Sequence, residues 1–472
     1  MDYIKIAANI TPSKTQYNWQ KTEFYAFAHF GVNTYTDREW GTGQEDPAIF
    51  NPVNLDANQW VGAVKSAGMR GLILTAKHHD GFCLWQTDAT DFSVKSSPYK
   101  NGKGDVVAEA AEACKKGGIK FGVYLSPWDR HEKTYGQGKA YDEFYVRQLT
   151  ELLSNYGELF TIWFDGACGE GPNGKKQVYD WKRYLEVCKK LQPNAVTFNF
   201  GDIRWCGNEA GDCREAEWSV LPRAASNIDF ILGQAQKAED PDGSFRKAGV
   251  KLDSRDMGSR KIICGERDFI WYPCETDTSI RPGWFYHASE DEKVRSLDEI
   301  MDIYYNSVGG NSCLLLNIPP APDGLFHEND VRRLKEIGDE IKKAFARNHA
   351  DMSNIKNIAA SSEKPGCGIW NALNGDENSY YMPEKYDDGD IVSVDMEFNG
   401  ECEFSKVVLA ENIRVGQRIE RFEIFAGDKK VYEGQTVGYK KIARFKPVKS
   451  SRLRINIFES RTEPTLSFIG VF

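Results

Sequence analysis

The run Leu159-Phe160-Thr161-Ile162-Trp163-Phe164-Asp165-Gly166 delivers a carboxylate at the end of an apolar, aromatic and β-branched stretch, the composition of a central strand. Period-2 alternation puts Thr161, Trp163 and Asp165 on one face. An acid at the C-terminal end of a barrel strand stands where parallel α/β folds keep their chemistry; the plainer alternative is a cap for the next helix. The following apolar run, Ala195 to Phe200, leads into Gly201-Asp202-Ile203-Arg204-Trp205-Cys206-Gly207-Asn208-Glu209. Two carboxylates flanking one pocket can carry out glycosyl transfer through a covalent intermediate, one attacking and one protonating the leaving oxygen. Asp165 is the candidate nucleophile. Glu209, 44 positions later (209 − 165), lies about one βα unit onward and is a candidate proton donor. Asp202, Glu215 and Glu217 are rivals that spacing does not separate from it.

The elements that would carry these groups recur as strand-then-helix units between about residues 20 and 345. Gly71 to Ala76 is an apolar strand ending in Lys77-His78-His79-Asp80-Gly81-Phe82. Helical spacing over 105–116 leads into Phe121 to Trp128. Helices over 141–155 and 181–191 precede the Asp165 strand and the Ala195 strand. A helix over 297–307 leads into Cys313 to Pro320, and one over 328–345 closes the region. Functional groups follow each apolar run, which points to a (β/α)₈-type barrel with its site at the C-terminal rim. No GxGxxG loop follows the early strands, which disfavours a doubly wound dinucleotide fold. The stretch from Arg223 to Arg260 reads as an elaborated rim loop. From about Asp351 the texture changes: residues 357–368 read as a polar connector, followed by short alternating strands over 392–398, 422–425 and 453–457, with turns at Asn399-Gly400 and Gly427-Asp428. That pattern predicts an all-β, jelly-roll-like sandwich. The expected division is a catalytic barrel at 1–345 and a sandwich at 346–472.

Composition narrows the partners. A net charge of -9 argues against nucleic acid, and no run reaches the roughly 18 apolar residues of a membrane insertion. The 12 Trp, 21 Tyr and 26 Phe suit stacking on sugar faces. The 11 cysteines include no CxxC pair, as expected of free thiols. The opening Met1-Asp2-Tyr3-Ile4-Lys5 lacks a signal peptide's basic and apolar regions, so a periplasmic or extracellular location would require a leader already removed. A metal-dependent hydrolase using His78, His79 and Asp80 would need further converging ligands, and the seven histidines include no His-x-His or HExxH. No metal or cofactor is expected. A non-catalytic glycan-binding protein is the rival from another class.

Ala28-His29-Phe30-Gly31, Arg38-Glu39-Trp40-Gly41, Lys77 to Phe82, Trp163-Phe164-Asp165-Gly166 and Ile280-Arg281-Pro282-Gly283-Trp284-Phe285-Tyr286 occur in order. Together they resemble the α-L-fucosidases of glycoside hydrolase family 29. Ile203 to Glu209 and Trp271 to Asp277 look like the subgroup acting on α-1,3/1,4-linked fucose. The resemblance implies a barrel followed by a sandwich, a retaining exo-hydrolysis of fucosylated, Lewis-type oligosaccharides, Asp165 as nucleophile and Glu209 as acid/base. It also implies a fucose pocket of His29, Glu39, Trp40, His78, His79, Tyr124, Trp163 and Trp284. Each has a plainer reading: His29 as a buried hydrogen-bonded residue, Trp284 as barrel filling, Tyr124 as core. Adjacent His78 and His79 would point to opposite faces of a regular strand, so they share a pocket only if the strand has ended before them.

Overall fold

The computed structural model describes residues 2–228, 231 and 256–472. Its central element is a parallel sheet of eight strands: β1 (Phe24–Ala28), β2 (Gly71–Lys77), β3 (Lys120–Leu125), β4 (Thr161–Trp163), β5 (Val196–Phe198), β6 (Arg204–Trp205), β9 (Cys274–Ser279) and β10 (Ser312–Asn317). They run in the order β5-β4-β3-β2-β1-β10-β9-β6. A parallel bridge between Phe198 and Ile203 joins the two ends and closes the barrel. Between β6 and β9, β7 (Val220–Pro222) and β8 (Phe269–Trp271) form a separate antiparallel pair. Most of the Arg223–Arg260 stretch, expected as a rim loop, lies outside the described residues.

Alternation along the strands separates two apolar layers. Tyr25, Phe27, Ile73, Tyr124, Trp163, Val196, Phe198 and Leu315 fill the barrel interior. Their neighbours Ala26, Leu72, Leu74, Val123, Ile162 and Leu314 face the helices. The helix Val106–Gly117 shows how the outer layer forms. Val106, Val107, Ala110, Ala113 and Cys114 are buried on one stripe, Asp105 caps the start through Ala108 N–H, and Gly118 ends it in the left-handed conformation. The helices Lys139–Asn155, Trp181–Leu191, Leu297–Ser307 and Glu328–Ala344 fall where the spacing places them.

One connection departs from the strand-then-helix pattern. Residues 199–203 carry the chain from β5 to β6 with no helix, through a turn in which Asp202 Oδ2 accepts from Thr197 N (2.9 Å) and Thr197 Oγ1 (3.0 Å). Asp165 and Glu209 are therefore separated by two strands, not the single βα unit that their 44-residue spacing suggests.

The C-terminal region is an antiparallel sandwich of β11 (Ile355–Ala360), β12 (Val392–Ala410), β13 (Ile419–Ala426), β14 (Lys429–Gly434), β15 (Lys441–Ser460) and β16 (Phe468–Val471). The order is β11-β12-β15-β13-β14, with β16 on β12. Two sequence expectations are corrected. Residues 357–360 belong to β11, where Ile355 and Ile358 supply the buried positions that a polar composition hides. Asn399-Gly400 is not a turn: β12 runs through it, and the register shift between Glu397 and Cys402 absorbs the irregularity within a continuous strand. Gly427-Asp428 does turn the chain, between β13 and β14.

The sandwich is built onto the barrel. Val408 and Ile442 belong to the barrel's outer core, Ile442 N–H donates to Gly309 O (2.9 Å) and Asn311 N–H to Lys440 O (3.0 Å). Gln417 accepts from Ser219 N (2.8 Å) and donates to Glu217 O (3.1 Å), bracing the segment behind the Glu209 loop.

Candidate active site

A cavity of about 440 Å³ opens at the C-terminal ends of the barrel strands, a volume within the usual range for a small-ligand site. His29, Glu39, Trp40, His78, His79, Trp163, Asp165, Glu209 and Trp284 all line it. Tyr124 does not line it. It packs in the barrel interior beneath the floor and reaches the site through its hydroxyl, which donates to Asp165 Oδ2 (3.0 Å).

Asp165 stands two residues past β4, where the backbone has left the sheet. Its Oδ1 accepts from Ala167 N (2.8 Å), so each oxygen has one fixed donor and keeps lone-pair capacity toward the cavity. β2 ends at Lys77, so His78 and His79 are free of strand alternation. Their rings lie 4.1 Å apart between centroids on the same wall.

The hydrogen-bond partners assign the tautomers of two histidines. Ser126 Oγ donates its proton to Trp128 O (2.7 Å), so at 2.7 Å it accepts from His79 Nδ1–H. His79 Nε2 is then an acceptor, 3.7 Å from Asp165 Oδ2. Asn317 Nδ2 donates to Trp284 O (2.8 Å) and Ser279 Oγ (3.0 Å), turning Oδ1 to His29 Nδ1 at 2.8 Å. His29 also donates at Nδ1 and keeps Nε2 as its free acceptor. Two acceptors facing each other, as at His79 and Asp165, suit an O–H donor placed between them.

Glu39 Oε2 accepts from Trp284 N (2.9 Å), and its Oε1 accepts from Phe285 N (3.2 Å) and His287 Nε2 (2.7 Å). Trp284 Nε1 donates to Glu209 Oε2 (3.0 Å). Of the other acids in the Glu209 loop, Asp202 caps its turn. Glu217 is buried in ion pairs with Arg204 and Arg214, and Glu215 is exposed; neither lines the cavity.

The sequence matches the family model for alpha-L-fucosidase over residues 3–220 and 250–344. The chain belongs to the α-L-fucosidase family. It is accordingly a glycoside hydrolase acting on α-L-fucosides. Over 471 residues it is 40% identical to alpha-L-fucosidase 1 of Arabidopsis thaliana, covering 98% of this chain and 87% of that protein. A solved structure from Bacteroides ovatus is 46% identical, with a TM-score of 0.85 over 99% of this chain and 75% of that one. A Ruminococcus gnavus GH29 fucosidase in complex with fucose is 29% identical, with a TM-score of 0.82 over 98% of this chain and 95% of that one.

Electrostatics in this fucosidase separate the roles its groups can take. Burial pushes the His29 imidazole down to about 3, and it holds His78 well below the ordinary value, helped by the neighbouring His79 and His29. Burial also lowers His79, aided by the Arg130 and Lys77 charges and opposed by Asp165. Desolvation is the main cause raising the Glu209 carboxyl, with the Asp165 and Glu39 charges adding to it and the Trp284 bond opposing. By surface area Glu209 is exposed. It sits at the mouth of a concavity, open to water yet walled by protein, so its desolvation is partial.

Sequence reasoning missed several lining groups, among them Trp205, Phe198 and Asp277. Asp277 is buried, accepts from Trp205 Nε1 (2.7 Å), and is raised well above an ordinary carboxyl chiefly by burial. Glu275, two residues earlier, accepts from Trp163 Nε1 (2.8 Å). The signal was present in Cys274-Glu275-Thr276-Asp277: two acids at period 2 in a strand point to the same side, here the barrel interior. Lys77, buried against Asp129 (2.9 Å) and Gln148 (2.9 Å), anchors the histidine segment from behind.

Proposed function

We propose that this protein is an exo-acting, retaining α-L-fucosidase of the α-1,3/1,4-specific subgroup, with Asp165 as nucleophile and Glu209 as acid/base. The catalytic unit is the barrel of residues 1–345 and the sandwich spans 346–472. The observation that carries the reading is the pairing, in one cavity, of a carboxylate with a fixed donor on each oxygen and a second carboxyl pushed toward the protonated form. That is the division of labour a double displacement requires. Asp165 attacks the anomeric carbon as the glycosidic C–O bond breaks, and Glu209 gives its proton to the departing oxygen. Water then adds at the anomeric carbon, giving a proton to Glu209, and the ester bond to Asp165 breaks to release fucose in the starting configuration.

His29 and His79 accept hydroxyl protons of the sugar through Nε2, while Trp40, Trp163 and Trp284 enclose its apolar faces. Linkage rests on the motif resemblance at Ile203–Glu209 and Trp271–Asp277. A second branch of a Lewis-type glycan would sit by these loops and add binding energy usable in the transition state.

Two measurements test this reading. Proton NMR of the first-formed product should show α-fucose before mutarotation, and β-fucose first would refute retention. Digestion of a panel of α-1,2-, α-1,3-, α-1,4- and α-1,6-fucosylated oligosaccharides should release fucose preferentially from the branched α-1,3 and α-1,4 members. Preference for the others would remove the subgroup assignment and leave the hydrolase standing.

A further inference from the structure

His287 lies on the rim just beyond the pocket. Its two ring nitrogens both meet carboxylates: Nδ1 lies 2.6 Å from Asp37 Oδ1 and Nε2 lies 2.7 Å from Glu39 Oε1. A neutral imidazole has one N–H, so satisfying both contacts takes an imidazolium. The two carboxylates come from the β1 rim loop and His287 from the β9 rim loop, so the ring spans two elements. The surroundings are shaped for it. Asp37 takes the left-handed backbone conformation (φ 55) after the short helix Val32–Thr36, a conformation Asp tolerates better than most residues. A Cβ on Gly283 would stand 2.5 Å from Glu39 Oε1 and 3.0 Å from the His287 ring, so only glycine leaves the room. Glu39 in turn receives the Trp284 and Phe285 N–H groups, and the Trp284 indole donates to Glu209.

We propose that His287 is a positioning residue: as an imidazolium between Asp37 and Glu39 it fixes the Trp284 loop that walls the cavity, and loss of a ring proton loosens that wall. The inference rests on the proposed reading of this cavity as the fucose pocket, and is independent of the acid/base role of Glu209. When His287 is neutral, one nitrogen lone pair faces a carboxylate at hydrogen-bond distance, and attraction becomes repulsion. Burial works against the charged ring, but the bonds and charges of Asp37 and Glu39 outweigh it and raise its pKa. A raised value means the clamp is complete in acid and weakens as pH climbs above the ordinary histidine range of about 6.5. The other charged groups of this loop have partners of their own: Glu290 takes the Gly283 N–H (3.1 Å), and Asp291 takes Arg281 (2.9 Å), Tyr286 (3.1 Å) and His327 (3.5 Å). They do not compete for the His287 ring.

The test is kcat/KM against pH on an aryl fucoside whose phenol departs without needing a proton. Glu209 is then not required as an acid, and an alkaline limb should remain in the native enzyme. His287→Gln should remove that limb and lower kcat/KM on the low-pH side on the order of tenfold, as expected for losing a charge-assisted hydrogen bond. Asp37→Asn keeps the ring and one carboxylate, so its limb should move to lower pH. Nitrogen NMR of labelled histidine should show a ring that stays protonated at both nitrogens as the pH passes the ordinary histidine value of about 6.5, a signal absent in His287→Gln. A limb unchanged in both variants, or no doubly protonated ring, overturns the proposal. Glu209→Gln keeps the two readings apart. It should leave this limb in place while discriminating strongly against poor leaving groups, and failure of that discrimination would count against the acid/base assignment alone.

Discussion

At the scale of single residues, protonation and hydrogen-bond direction decide what the pocket can do. Asp165→Asn removes the negative charge from the oxygen proposed to attack, without changing shape. It should lower kcat by several orders of magnitude at unchanged thermal stability, and near-native turnover of an aryl fucoside would refute its role. Glu209→Ala should harm oligosaccharides far more than fucosides with acidic phenols, and azide should partly restore the latter; if Glu217→Ala gave that pattern instead, the loop assignment would be wrong. His29 contributes differently to stability. Its folded-state pKa of about 3 lies below the unfolded value of about 6.5, so the unfolded chain binds more protons in between and stability is lost there as the pH is lowered. His29→Asn should therefore gain stability relative to the native protein by about 2–3 kcal/mol on going from pH 6.5 to 4.5 in urea titrations. A difference independent of pH would mean the imidazole is not buried in the neutral form. The sequence made these residues visible because polar groups followed apolar runs. It hid Tyr124's dual place, since an alternating strand shows which face a phenol takes but not that its hydroxyl reaches the carboxylate above.

At the scale of elements, a buried ion pair anchors the end of β2 that leads into His78 and His79. Lys77, at the end of β2, has no exposed surface and pairs with the equally buried Asp129. Lys77→Met would strand that carboxylate, with an expected loss of about 3–5 kcal/mol, read from denaturant unfolding. Lys77→Met with Asp129→Asn should recover a good part of it, because no charge is then left unpaired and the amide oxygen still accepts from the His131 and Glu132 N–H groups. Helices and strands were legible where amphipathic spacing ran for ten or more residues, as in Val106–Gly117 and Glu328–Ala344. The β5–β6 turn was not legible, because a strand of two residues has no period to detect. Residues 357–360 failed for a related reason: only Ile355 and Ile358 carry the buried side of β11, too few to outweigh polar neighbours.

At the scale of the whole molecule, the sandwich is part of the barrel's support. Gln417 braces the chain on both sides of Trp218, next to the buried Glu217 that pairs with Arg204 and Arg214 under the Glu209 loop. A chain ending at residue 345 would expose the barrel surface now covered by Val408, Ile442, Phe468 and Phe472. It should be recovered as aggregate, or as soluble protein with a markedly lower Tm. A monomeric truncation with native Tm and activity would show the sandwich to be dispensable. The short alternating strands foretold the sandwich but not this role, since contacts between the two segments leave no periodic trace in either.

Trp40 and Trp370 are the two most open tryptophans among the described residues, at 48% and 45% of their surface. Only Trp40 stands at the cavity, edge-on to His79 (5.9 Å) and Trp128 (5.5 Å); Trp370 sits in the C-terminal region. The protein thus carries its own optical gauge. Acrylamide or iodide should quench a fraction of the indole emission fed by both rings. Saturating fucose should shield one of them and leave the other, reporting occupancy without any label.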